Sequence, residues 1–191
     1  MDYRVLSRQQ ISDELEAIAS DAEKAFARFD SRQANWSPSA GSWSVAQCLD
    51  HLIRINRAYY PIFDRIAKGQ YRPPLVARVP LLPKLVGPMM VQVLSPQGTR
   101  KFKAGNVARP SASAIESDIV GRFIAHQREL LAWLRSLADR DLGAIVIRSP
   151  LAPVPYSLLD AFRILVAHER RHLAQARRVT QLPEFPADER R

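Results

Sequence analysis

SLLDAFRILVAHERRHLAQARRVTQLP, residues 157–183, reads as one long amphipathic helix. Ser157 followed by Asp160 gives a start signal, and Pro183 stops the helix soon after Gln181. Leu158, Phe162, Leu165, His168, His172, Ala176 and Val179 recur at spacings of three and four, so they share one face. That face is otherwise apolar and should look inward. It therefore carries two imidazoles, one turn apart, into the core of an all-α protein.

Three more segments have the same period. The first is expected from about Arg8 to Phe29, with a capping box at Ser7 and Gln10 and a stripe of Ile11, Leu15, Ile18, Ala22 and Ala25. The second is expected from about Val45 to Lys68, capped by Ser44 and Gln47, with Cys48, Leu52, Ile55, Tyr59, Ile62 and Ile66 inward. Pro61 inside it should kink it or end its first part, and Gly69 is a C-cap. The third is expected from about Ala114 to Leu137, capped by Ser113 and Glu116. Four one-faced helices predict a four-helix bundle with a long crossover between helices 2 and 3. One domain should span residues 1–182, with a C-terminal tail over 183–191.

The crossover, Gln70 to Ser113, is rich in proline. Its middle, Leu81 to Leu94, is apolar enough for a short helix covering one end of the bundle. No stretch gives the roughly 20 uninterrupted apolar residues of a membrane span. Met89, Met90 and Val91 are candidates for membrane contact or dimer burial. Ala144 to Ile147 is the only strand-like run.

The chain has 191 residues, 47 % hydrophobic and 25 % charged, as expected of a soluble globular domain. The single cysteine, Cys48, excludes an intrachain disulfide and suits a reducing compartment. Residues 1–18 are polar and amphipathic, unlike a secretory signal, so the expected location is the cytoplasm. The net charge of +9 comes without a long basic tract or a nucleic-acid reading motif, which disfavours nucleic acid as the main partner.

The chain has four histidines. His168 and His172 point the same way, and two buried neutral imidazoles bring four ring nitrogens that need partners. His51, about two turns into the second helix, can supply a third nitrogen from a facing helix. Such a set suits Zn²⁺ or another divalent transition metal and leaves coordination positions open. Cys48 is a rival ligand or a small buried apolar residue. His126, with no partner at ligand spacing, reads as a hydrogen-bonded core histidine.

His168-Glu169-Arg170-Arg171-His172 also matches H-E-x-x-H, in which the glutamate is the general base of a zinc protease. Only 19 residues follow His172, and Glu184 lacks a rigid support as a third ligand. Glu169 is a candidate base, or else a surface ion-pair partner of Arg170 or Arg54. Gln175 is a candidate for binding a cofactor or bracing the site, Tyr59 for binding a cofactor, and Tyr59 and Tyr60 for lining the pocket, with one of the two tyrosines expected in the core.

Trp43-Ser44-Val45-Ala46-Gln47-Cys48-Leu49-Asp50-His51-Leu52 resembles the opening of the second helix in DinB-like proteins. Ala167-His168-Glu169-Arg170-Arg171-His172-Leu173-Ala174-Gln175 resembles their fourth-helix signature, H-x-x-x-H-x-x-Q. The resemblance implies a bundle with a long second connection and a divalent metal, often Zn²⁺ or Ni²⁺, on His51, His168 and His172. It also implies a tendency to dimerise. Characterised members include metal-dependent transferases of low-molecular-weight thiols and a glutathione- or mycothiol-dependent isomerase. The expected activity is thus metal-dependent thiol transfer, or hydrolysis, on a small-molecule substrate. The alternatives are a non-enzymatic metal-binding stress protein, a zinc protease and a nucleic-acid binder.

Overall fold

A computed structural model describes residues 1–79, 81–98, 114–115 and 118–187. The protein is mostly helical, with α1 Arg8–Phe26, α2 Ser31–Asn35, α3 Val45–Arg57, α4 Tyr60–Ala67, α5 Leu82–Leu94, α6 Ile119–Ser136 and α7 Leu158–Thr180. A short antiparallel pair, β1 Val146–Arg148 and β2 Pro155–Ser157, precedes α7.

Local chemistry sets most of these boundaries. Ser7 and Gln10 form the complete capping box of α1, and Ser44 and Gln47 that of α3. Ser157 caps α7 by accepting from the Asp160 N–H at 3.0 Å. The second expected helix is two helices, because Pro61 stands at the start of α4 and offers no N–H to continue the ladder. Gly69, at φ +68°, provides the left-handed turn after α4.

Several expectations shift. The first helix ends at Phe26 rather than Phe29, and a separate turn, α2, follows with its own Asp30–Gln33 capping box. α6 starts at Ile119 rather than Ala114, while Ser113 and Glu116 lie outside the described residues. Ile115 precedes the helix and is held by two hydrogen bonds to the Asn35 side chain, 2.7 and 2.9 Å. The strand-like run is displaced to Val146–Arg148 and finds its partner in Pro155–Ser157, which the sequence pattern did not announce. In the expected tail, Phe185 packs on Phe29 and Trp36, and Gln33 donates to the Pro186 carbonyl.

The core lies where α1 and α3 each pack on both α6 and α7. Ile11, Leu15, Ile18 and Phe26 of α1 are each at most 1 % exposed, and each contributes about 1.5–3 kcal/mol by leaving water. Phe63 of α4 stacks on Phe162 of α7 with ring centroids 4.9 Å apart. This packing fixes the two helices that carry the histidines.

α5 lies along α7 and β2. Pro83, Gly87 and Val91 face inward, whereas Met89 points outward and Met90 is half-buried. Gly87 permits the close approach: a Cβ there would stand 2.7 Å from Cγ of Asp160, a carboxylate already fixed by Ser157 and Arg163. Gly87→Ala should cost about 1–3 kcal/mol through overpacking. The Tm would then fall by roughly 2–4 °C per kcal/mol. An unchanged melting curve would show that α5 does not rest on Asp160.

Candidate metal centre

His51 comes from the middle of α3, and His168 and His172 from successive turns of α7. Their Nε2 atoms converge. His168 Nε2 stands 3.4 Å from His51 Nε2 and 3.1 Å from His172 Nε2. One ligand atom from each of the three lies within 4.8 Å of the others. Tetrahedral Zn²⁺ with bonds of about 2.0–2.1 Å separates its nitrogens by about 3.3 Å, so the two short distances fit. His168 and His172 each keep 9 % of their surface exposed, and His51 keeps 4 %. All three histidines are thus buried.

The electrostatics favour neutral His168 and His172 rings. Burial holds His168 well below the ordinary imidazole range, aided by His172, His51 and Arg171. Burial pushes His172 down to about 3, again with His51 and Arg171. Gln175 opposes that shift, but its amide is not in hydrogen-bonding geometry with Nδ1, which stays buried without a partner. The Trp43 ring stacks on His172 at 5.5 Å and lies 4.7 Å from His51, forming an aromatic wall on one side. Trp43 was visible only as part of the opening motif of the second helix, with no sign that it would touch two of the histidines.

The other expected residues separate from this cluster. Cys48 is fully buried, and burial raises its thiol to about 12, so it behaves as a small core residue. Tyr59 is also core: its hydroxyl bonds the Tyr156 hydroxyl at 2.6 Å, and its ring stacks on Phe63. Tyr60 bonds His126 Nδ1 and Glu129, each at 3.0 Å. His126 is a hydrogen-bonded core histidine, and burial lowers its pKa to about 4.

Glu169 requires a correction. It is fully buried, not on the surface, and Arg170 pairs instead with Glu14 and Asp21 of α1 at 2.7 and 2.6 Å. Glu169 Oε1 accepts from Asn56 Nδ2 at 2.6 Å and Gln127 Nε2 at 2.7 Å. Asn56 Nδ2 also lies 3.1 Å from His126 Nε2. Since the amide nitrogen can only donate, His126 accepts at Nε2 and donates from Nδ1 to the Tyr60 hydroxyl, which donates to Glu129. A polar chain thus runs from Glu129 through Tyr60, His126 and Asn56 to Glu169. Burial raises the Glu169 carboxyl to about 7, against the pull of Gln127 and Asn56. Sequence reasoning missed Asn56 and Gln127. The available signal was an amide standing among apolar residues on a buried helix face.

The fold and cluster define a class: a mostly helical protein whose two facing helices present three histidines that could hold a metal ion. Residues 14–176 match the family model of the DinB superfamily, and the chain belongs to that superfamily. No curated protein and no solved structure matches it.

Proposed function

We propose that this protein is a divalent-metal-dependent transferase of low-molecular-weight thiols. We take it to be a four-helix bundle of α1, α3–α4, α6 and α7, with the long crossover between α4 and α6. The observation that carries the reading is the set of three buried histidines with nitrogens spaced for one ion, two of the rings being held neutral. A set of only three protein ligands leaves coordination positions to fill, which fits a reactive site better than a closed four-ligand structural one. Nitrogen ligands suit Zn²⁺ or Ni²⁺.

When bound, the ion acidifies a thiol so that it is nucleophilic at neutral pH. His51, His168 and His172 hold the ion, and Trp43 offers an apolar face for the substrate. We assign Glu169 to positioning α7 rather than to base catalysis, because its hydrogen bonds go to Asn56 and Gln127. The same hydrogen bonds speak against the zinc-protease reading. Hydrolysis remains the second reading for the same metal. We place the protein in the cytoplasm, with a small-molecule substrate and a homodimeric state as further expectations.

Metal analysis of protein purified without an affinity tag tests the centre. The expected content is about one divalent ion per chain, lost in His51→Ala and in His168→Ala. Unchanged content in both variants would show that the ligands are misassigned. With a thiol and an electrophile present, metal-loaded protein should consume free thiol. Substrate loss with no thiol consumed would select hydrolysis.

A further inference from the structure

The positive charge of this chain is concentrated in one stretch of its sequence. From Arg65 to Ile115 the sequence contains nine Lys and Arg and not one Asp or Glu. That stretch carries a charge equal to the whole net charge of +9. α5 lies within it.

α5 is apolar on both sides. Its inward side, Pro83, Gly87 and Val91, is accounted for by α7 and β2. Its outward side carries Leu85 and Met89, 69 % and 54 % exposed, and Leu81, 65 % exposed, stands just before its first turn. Leu75 and Val79, just before it, are 78 % and 47 % exposed. These five account for more than half of the large hydrophobic side chains found exposed among the described residues. Lys84 and Arg72 are exposed within the same segment. Leu81 also sits at φ +65°, a left-handed conformation that disfavours a leucine and would suit a glycine. Neither packing nor backbone preference accounts for leucine at that position.

We infer that the outward face of α5 docks in the plane of an anionic lipid surface. Aliphatic side chains on one helix face, in a segment with basic residues and no acidic ones, match both layers of such a surface, acyl boundary and charged headgroups. No helix among the described residues is long and apolar enough to cross a membrane, so the contact is peripheral. A second copy of this chain fits the face poorly. A two-fold contact would set the acid-free segment against itself, like charge on like charge. A polyphosphate backbone would match the charge but would leave Leu81, Leu85 and Met89 without a partner.

Vesicle co-sedimentation of the full chain tests this at low salt. The probes are phosphatidylcholine vesicles and vesicles of phosphatidylcholine and phosphatidylserine at about three to one. Binding is expected to the mixed vesicles, at least about tenfold weaker to the neutral ones, and weakened by salt. The double variant Leu85→Glu, Met89→Glu should reduce it more than about tenfold, with unchanged circular dichroism because both side chains are exposed. Lys84→Gln should reduce it about fivefold. The inference is overturned by equal binding to both vesicles or by binding to neither. It is equally overturned if the double variant binds normally. A concentration-dependent dimer that the double variant dissolves would assign the face to a second copy instead.

Discussion

Adding Zn²⁺ or Ni²⁺ to the metal-free protein should raise its Tm by about 5–11 °C, and His168→Ala should abolish that rise. The magnitude follows from mass action: a ligand at about 100 times its Kd stabilises the folded state by about 2.7 kcal/mol. For a chain of this length each kcal/mol shifts Tm by roughly 2–4 °C. His168 is the choice because its Nε2 lies close to both other histidine Nε2 atoms, at 3.1 and 3.4 Å. Removing a buried ring will itself lower Tm, so the decisive reading is the shift on metal addition within each variant. An equal shift in His168→Ala and the parent would place the binding elsewhere. Acid should act against the metal-free fold as well. The folded pKa of His172 is near 3 and that of His126 near 4, both below the ordinary 6.5. Below about pH 6.5 the unfolded chain takes up protons at these positions and the folded chain does not, so stability falls with pH through that range.

Glu169→Gln should leave the metal-free protein nearly as stable as the parent at pH 4.5 and make it about 3 kcal/mol more stable above pH 7. The Glu169 carboxyl is raised from 4.5 to about 7 by burial. In the unfolded chain it ionises near pH 4.5, whereas in the folded protein it keeps its proton to about pH 7. The folded state therefore binds more protons between those values, and stability is lost as pH rises through them. A shift of this size corresponds to about 3 kcal/mol. Glutamine does not titrate. Its oxygen can accept the Asn56 and Gln127 hydrogen bonds that Oε1 accepts. Its amide can also donate where the site is short of donors, since Glu169 Oε2, Asn56 Oδ1 and Gln127 Oε1 are all buried without a partner. Urea unfolding across pH 4.5–8 measures the difference. A constant gap between parent and variant at every pH would mean that Glu169 ionises normally.

These cases show which links between sequence and structure are short-range. The Ser7–Gln10 and Ser44–Gln47 boxes, the break at Pro61 and the turn at Gly69 each depend on residues within one helical turn. They could be read directly. The histidine pair is legible for the same reason, and His51 because it lies close to an apolar stripe. The direction of Glu169 was not legible. One residue rotates a helix by about 100°, so whether that carboxylate meets water or Asn56 depends on where α3 and α6 lie. The pairing of Val146–Arg148 with Pro155–Ser157 was hidden too, since three residues including a proline carry almost no strand pattern. Asn56 and Gln127 look like ordinary polar residues until a buried carboxylate is placed between them.

Residues 168–172 leave no side of their helix unoccupied. His168 and His172 meet His51 of α3, Glu169 meets α3 and α6, Arg170 grips Glu14 and Asp21 of α1, and Arg171 donates to the Val93 carbonyl of α5 at 2.9 Å. A single inserted or deleted residue in the preceding turns of α7 would rotate all five by about 100° at once. An insertion would present Arg171 to the aromatic wall, His168 to the Asn56 and Gln127 amides, and Glu169 to the Glu14 and Asp21 carboxylates. Length changes should therefore be barred from the first half of α7 while remaining open to the connections around it. Alignment gaps within the superfamily, and tolerated insertions in a library of this chain, should respect that boundary.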